Sequence, residues 1–243
     1  MRLWHEVAAK IFQLRRLSPG KVSDMTPEEL ARFYAKRFAG SSAYRGRVWQ
    51  VLVPHFFQQF ISESGTVLDL GCGYGEFINN IRAKQKFGMD LNPDSKARLN
   101  PDIRFLQQDC SQPWQMEPNQ LDLVFTSNFF EHLPDKHALG KTLDQALQCL
   151  KPGGRIVAMG PNIKLVNGAY WDVWDHYLAL TETSLAEGMV NHGFQIERCH
   201  SKFLPFTLVG GPEYPLWILK VYLKFPILWR IGGKQFLIVA RKP

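Results

Sequence analysis

At 243 residues, 45% hydrophobic and 21% charged, the chain has an ordinary globular composition and enough length for one large domain with appendages around a sizeable core. No run reaches the ~18 uncharged apolar residues of a spanning helix, and Cys72, Cys110, Cys149 and Cys199 are scattered without a C-x-x-C pair, which argues against a disulfide framework or zinc site and for a reducing, cytoplasmic setting. The net charge of +7 divides into +6 over residues 1–50, −6 over 51–197 and +7 over 198–243, so an acidic centre lies between two basic ends suited to an anionic partner, nucleic acid or a membrane leaflet.

The first residues lack a secretory pattern, because Glu6 and Lys10 interrupt any apolar centre. Leu3 to Leu17 can be drawn as an amphipathic helix that rests on a membrane surface or packs on the body. Thr26-Pro27-Glu28-Glu29 is a helix start, with Thr at the cap, Pro in the first turn and Glu29 closing a capping box. This helix is expected to run through Leu30, Phe33, Tyr34 and Phe38 to Gly40. A second, from about Val48 to Ile61, carries Trp49, Leu52, Val53, Phe56, Phe57 and Phe60 and reads as largely buried, with Tyr44, Arg45 and Arg47 in the hinge between the two.

Next comes Thr66 to Asn79, TVLDLGCGYGEFIN. Val67, Leu68 and Leu70 form the short apolar run of a buried parallel strand, which stops at Gly71, Gly73 and Gly75 before helical residues are expected to resume. Such a glycine turn lets backbone approach a ligand closely, and the amides opening a following helix would offer donors to it. Asp69, at the strand end, is expected to order the loop or meet a positively charged ligand group, since a buried lone carboxylate is costly. The G-x-G-x-G spacing departs from the dinucleotide pattern G-x-G-x-x-G. Further strands are expected at Lys86 to Leu91, Ile103 to Gln108, Leu121 to Ser127 and, after the turn Lys151-Pro-Gly-Gly154, Arg155 to Met159. Helical segments between most of them predict a doubly wound α/β sheet with its site at the carboxyl ends of the strands.

The ordered set VLDLGCGYGEF, GMDLNPD, FLQQDCSQPW, LDLVFTSNFFEHLPD and LKPGGRIV resembles the class I S-adenosylmethionine-dependent methyltransferases over roughly residues 65–200. The resemblance implies a Rossmann-like, seven-stranded, mostly parallel sheet over residues 63–202. It also implies an N-terminal helical cap over 1–62 and, over 203–243, a hydrophobic insertion followed by the final strand. S-adenosyl-L-methionine is the implied cofactor. Gly71, Cys72, Gly73 and Gly75 would hold its methionine part. Asp90, with Leu91, would take the ribose hydroxyls, and Asp109 with Cys110 the adenine. Tyr44 and Arg47 would reach its carboxylate, and Asn128 and Phe129 would wall the methyl-transfer site. The chemistry agrees for Asp90, since a carboxylate accepts from two vicinal hydroxyls at once.

His132, in the turn Glu131-His-Leu-Pro-Asp135, is read as a structural histidine in preference to a general base, because this turn recurs in the family whatever the substrate. Helix Lys136 to Leu150 ends at Pro152-Gly153-Gly154. Tyr170-Trp171-Asp172-Val173-Trp174-Asp175-His176-Tyr177 alternates aromatics with acids, a surface suited to hydroxyl-bearing rings. His176 beside Asp175 is a candidate base for the attacking hydroxyl or a structural histidine. A helix Ser184 to His192 and a strand Phe194 to Cys199 follow. The stretch Phe203 to Ile231 mixes Trp217, Tyr222, Phe225 and Trp229 with Lys220, Lys224 and Arg230, as an in-plane membrane helix, a lid or a dimer patch would. The last strand is Gln235 to Ala240.

The block WDVWDHYLALTETSL and the tail GKQFLIVARKP resemble methyltransferases of cell-surface polysaccharide and glycolipid synthesis. That implies O-methylation of a sugar hydroxyl on a lipid-linked or nucleotide-linked glycan acceptor by direct displacement, with membrane contact through 1–17 and 203–231. No metal and no nucleic acid are expected. Ubiquinone and menaquinone methyltransferases are the nearest alternative. A nicotinamide-dependent oxidoreductase and a non-catalytic membrane protein with a vestigial cofactor fold are the competing classes.

Overall fold

In the computed structural model, residues 42–206 and 213–243 are described, together with Glu29 and Arg32, both helical. The helix expected over 3–17, and all but two positions of the one expected from Thr26 to Gly40, lie outside the described residues.

Seven strands form one sheet: β1 (Thr66–Leu70), β2 (Gln85–Met89), β3 (Ile103–Leu106), β4 (Leu121–Ser127), β5 (Leu150–Pro161), β6 (Gln195–His200) and β7 (Gln235–Arg241). Their order is β3-β2-β1-β4-β5-β7-β6. β1 to β5 pair in parallel, whereas β7 runs antiparallel between β5 and β6. The central strands are mostly apolar because both faces are covered; every residue of β1 is buried. The order reverses at β1, whose neighbours β2 and β4 continue the sheet in opposite directions, and a crevice at the carboxyl ends of the strands follows from that switch.

Each face carries its own core. One packs α2 (Lys136–Cys149) and α3 (Glu182–Asn191) through Leu139, Leu143, Leu185 and Met189 against Leu68, Leu70, Ile156 and Ile238. The other packs α1 (Ser42–His55) and the 3-10 turn Phe57–Phe60 against Val67, Phe125, Val157 and Val239. α4 (Leu216–Lys224) and α5 (Pro226–Gly232), from the insertion, join this second core through Leu223 and Trp229. Phe56 lies 4.6 Å from Phe203 and 5.6 Å from Trp229 between ring centroids, so the segment before the sheet and the one before its last strand meet in one layer.

Four local expectations need correction. No regular helix follows the glycine loop: residues 71–80 are successive turns, because the buried Phe77, Ile78 and Ile81 pack individually on the sheet. The links from β2 to β3 and from β3 to β4 hold only the 3-10 turn Pro93–Arg98 and irregular turns. β5 begins at Leu150 and takes up Lys151 to Gly154, with Gly153 at φ +78° absorbing the bend. Tyr44, Arg45 and Arg47 sit within α1 instead of a hinge.

Phe57 is 1% exposed and touches Trp49, Phe77, Phe125 and Phe203. Phe57→Ala is expected to cost roughly 3–5 kcal/mol in urea unfolding. A loss below about 1 kcal/mol would mean that α1 and the insertion do not depend on this ring.

Candidate functional site

A cavity opens at the carboxyl ends of β1, β2 and β4. Of the residues expected to bind cofactor, Gly71, Asp90, Leu91, Asp109, Cys110 and Phe129 line it, so the two aspartates converge on a single cleft. His132 and Asp175 line it as well. Asp69, Cys72, Gly73 and Gly75 lie behind this lining, while Asn128 holds the left-handed conformation, φ +50°, and is bonded through Nδ2 to Ser127 Oγ at 3.0 Å.

The glycine loop is fixed from the tip of β2. The Met89 carbonyl accepts from Gly71 N–H (2.9 Å) and Cys72 N–H (3.0 Å). Asp90 Oδ2 accepts from Gly73 N–H at 2.8 Å and Oδ1 from Asn92 N–H at 2.9 Å. Asp90 thus clamps the loop while its carboxylate lies on the cavity wall, where it can also accept from a ligand hydroxyl. Gly71 is obligatory on steric grounds, since a Cβ there would fall 2.3 Å from the Phe129 ring; at Gly73 a Cβ would meet nothing within 4 Å. These amides are spent within the loop, which corrects the expectation that they open a helix toward a ligand.

Asp69 is 3% exposed. Burial, then the charges of Glu76 and Asp90, push its carboxyl well above the ordinary carboxylate range, although it accepts from the Ile78 N–H. Burial raises Asp90 too, against the bonds from Asn92 and Gly73. Arg45 pairs with Glu76 and neutralises part of this acidic group. Two dehydrated, mutually repelling carboxyls beside an open cleft favour a ligand that brings positive charge and vicinal hydroxyls. S-adenosylmethionine carries both, so the residues present fit it.

Tyr44 and Arg47 do not reach the cavity. Tyr44 Oη accepts from Tyr214 N–H (3.0 Å) and donates to its carbonyl (3.1 Å), while Arg47 pairs with Glu213 at 2.9 Å, so both tie α1 to the start of the insertion.

On the other wall the sequence neighbours Asp175 and His176 part company. Asp175 bonds His132 Nδ1, through Oδ2 at 3.0 Å and through its carbonyl at 2.9 Å. His176 Nδ1 instead meets the Tyr170 carbonyl at 2.8 Å. The two imidazoles are 5.0 Å apart between centroids, and Glu131, 2% exposed, brings its carboxylate within 4.8 Å of a nitrogen on each. A ligand cluster is therefore present where none was expected. Glu131 was legible only as half of a recurring Glu-His turn, and its neighbours, Phe130 and His132, did not mark it as buried. The aromatic row also divides: Tyr170 is fully buried, whereas Trp171 and Trp174 are 55% and 67% exposed.

A family profile described as "Methyltransferase domain" matches residues 42–198. No curated protein matches the chain. Among solved structures, one in the complex between the Haloferax volcanii Trm112 methyltransferase activator and its methyltransferase is 17% identical, with TM-score 0.64, covering 87% of this chain and 97% of that one. A SAM-dependent methyltransferase from Archaeoglobus fulgidus is 21% identical, with TM-score 0.59 and coverage of 86% and 98%. One from Thermotoga maritima, described as a possible histamine N-methyltransferase, is 14% identical, with TM-score 0.61 and coverage of 87% and 95%. At these identities the likeness is one of fold.

Between the ordinary carboxyl range and the raised value of Asp69, the folded chain keeps a proton that the unfolded chain releases, so stability falls as pH rises through that window. Asp69→Asn is expected to raise the melting temperature of the ligand-free protein at neutral pH and to flatten its decline from acid to neutral. A melting curve as steep as that of the unchanged protein would place the titration elsewhere.

Proposed function

Since the chain belongs to the methyltransferase-domain family, and is an S-adenosyl-L-methionine-dependent methyltransferase, we propose that it methylates a sugar hydroxyl on a lipid-linked or nucleotide-linked glycan at a membrane surface. The observation that carries the acceptor class is the segment Asn167–Asp172 with its continuation to His176. It presents Trp171 and Trp174 to solvent and delivers Asp175 to the cavity wall. Exposed aromatic faces stack on sugar rings, and an acid beside them accepts from their hydroxyls.

Asp90 and Leu91 would hold the cofactor's ribose and Asp109 its adenine, with Asp69 buried behind the loop. When bound, the cofactor supplies an electrophilic methyl: the acceptor oxygen's lone pair forms the new C–O bond as the C–S bond breaks toward sulfur, and the hydroxyl proton is released. Phe129, packed on Gly71, and Leu133 provide apolar wall that excludes water. The group formed by Glu131, His132 and His176, oriented by Asp175 and the Tyr170 carbonyl, stands where the acceptor's proton must be managed.

The membrane reading is supported by α4, α5 and the residues flanking them. Tyr214, Trp217, Phe225, Ile227 and Ile231 are 54–80% exposed, and Lys220, Lys224 and Arg230 are exposed among them. Apolar side chains set among lysines are what an in-plane helix brings to an anionic leaflet. Among the described residues no helix is long and apolar enough to cross a membrane. A lipid-tailed quinol acceptor is the second reading, favoured by the same apolar surface.

S-adenosylmethionine at a hundredfold excess over its dissociation constant is expected to stabilise the protein by about 2.7 kcal/mol, and Asp90→Ala to abolish the thermal shift. With labelled cofactor and cell extract, label should enter the lipid or soluble sugar fraction; label in RNA or protein alone would refute the acceptor class. The protein should co-sediment with anionic vesicles at low salt, and the double variant Trp217→Ser, Ile231→Ser should lose most of that binding. Equal binding by the variant would place the contact elsewhere.

A further inference from the structure

We infer that Glu131, His132 and His176 form a site for one divalent first-row transition metal ion at the edge of the cavity, a role that for its use in catalysis rests on the methyl-transfer reading above. One potential ligand atom from each of the three lies within 4.8 Å of the others. Bonds of about 2.1 Å in tetrahedral array set ligand atoms roughly 3.4 Å apart, so side-chain rotations closing at most about 1.4 Å would complete the shell.

The surroundings are those of a coordinating group. Both imidazoles are bonded at Nδ1 to main-chain carbonyls, His132 to that of Asp175 (2.9 Å) and His176 to that of Tyr170 (2.8 Å). A ring that donates from Nδ1 carries its lone pair on Nε2, and such a bond fixes both tautomer and ring orientation in metal sites. The Asp175 carboxylate adds a second contact to His132 at 3.0 Å. The backbone is equally tied, since the Glu131 carbonyl accepts from Tyr177 N–H (2.8 Å) and Leu178 N–H (3.1 Å), which locks the 3-10 turn Phe130–His132 to the segment carrying His176. Glu131 and His176 are 2% and 8% exposed, so this side of the cluster is closed to bulk water.

Two imidazoles and one carboxylate suit zinc, manganese or iron(II) better than magnesium or calcium, which prefer oxygen alone. Three protein ligands also leave a coordination position open. His132 is the member that also lines the cavity, which puts the cluster at its edge. An acceptor hydroxyl bound there becomes more acidic: its O–H bond breaks with the electron pair staying on oxygen, and the proton passes to solvent water. The resulting alkoxide is the nucleophile that methyl transfer needs. The acceptor class narrows accordingly to a molecule that presents a hydroxyl able to enter a metal's coordination shell, as a sugar or a quinol does.

The test uses the full chain, stripped with chelator and titrated with Co2+ and Zn2+ by calorimetry, with Co2+ also followed by its visible absorption. One ion per chain is expected, with affinity lowered at least about tenfold in Glu131→Gln and in His176→Gln. His192→Gln, whose ring pairs with Asp144 outside the cluster at 2.6 Å, should leave binding unchanged. Far-UV circular dichroism checks that each variant is folded, and His132→Gln, at the more exposed member, replaces any that is not. Absence of stoichiometric binding in a protein that S-adenosylmethionine still stabilises would overturn the metal site alone, as would undiminished affinity in the folded variants. Metal binding without any response to S-adenosylmethionine would support the ion site and overturn the methyl-transfer reading on which its use rests.

Discussion

The Asp90 carboxylate, pinned between the Gly73 and Asn92 amides, is the interaction on which the rest of the site depends. It sits just beyond β2, yet it fixes the loop leaving β1, so the tips of two neighbouring strands become one rigid surface. Asp69 lies buried behind it at the end of β1 and repels it. Keeping two such carboxyls dehydrated and close is unfavourable for the free chain, and only a well-packed sheet can impose it. The cores on the two faces supply that constraint. Leu68 and Leu70 anchor one side of β1, Val67 the other, and none of the three is exposed to solvent.

The second core explains why the segments at either end of the sheet belong to the same architecture. Phe77 stacks on Phe125 at 3.7 Å between centroids, with the Trp49 ring edge-on to Phe125 at 5.9 Å, so the turn after the glycine loop, β4 and α1 share one aromatic column. The insertion closes this column through Phe203 and Trp229, 4.9 Å apart, and its polar ties run to α1 as well, from Tyr44 and Arg47 to residues 213 and 214. Residues that resemblance assigned to the cofactor's carboxylate thus serve as a strap beside the apolar helices. The exposed apolar surface of α4 and α5 is thus built on the same layer that supports the glycine loop.

Much of this was written in local pattern. The apolar runs and the turn residues around them gave six strands to within about two residues and β5 without its first five, because short apolar runs bounded by glycines and polar turns fit strands better than helices. What pattern could not give was the pairing of side chains distant in sequence. Asp175 and His176 are adjacent, but the tight turn there sends one toward His132 and the other toward the Tyr170 carbonyl. Tyr170 looked like one more surface aromatic, yet it is fully buried, its hydroxyl bonded to the Leu178 carbonyl. The missing helix after Gly75 has the same origin: Phe77, Ile78 and Ile81 satisfy helical spacing, but each is claimed by the sheet, and tertiary packing outweighs a propensity worth a few tenths of a kcal/mol per residue.

The distribution of charge along the cleft carries a mechanistic consequence. In methyl transfer from a sulfonium, the positive charge on sulfur disappears as the transition state is approached, so carboxylates placed against the sulfur would stabilise the ground state more than the transition state. The acids of this site are instead set at the strand tips and behind the loop, and the wall that Phe129, Leu133 and Pro134 contribute is apolar. Under the proposed reading, Asp90 would then hold the cofactor's hydroxyls while the apolar wall excludes water from the reacting centre.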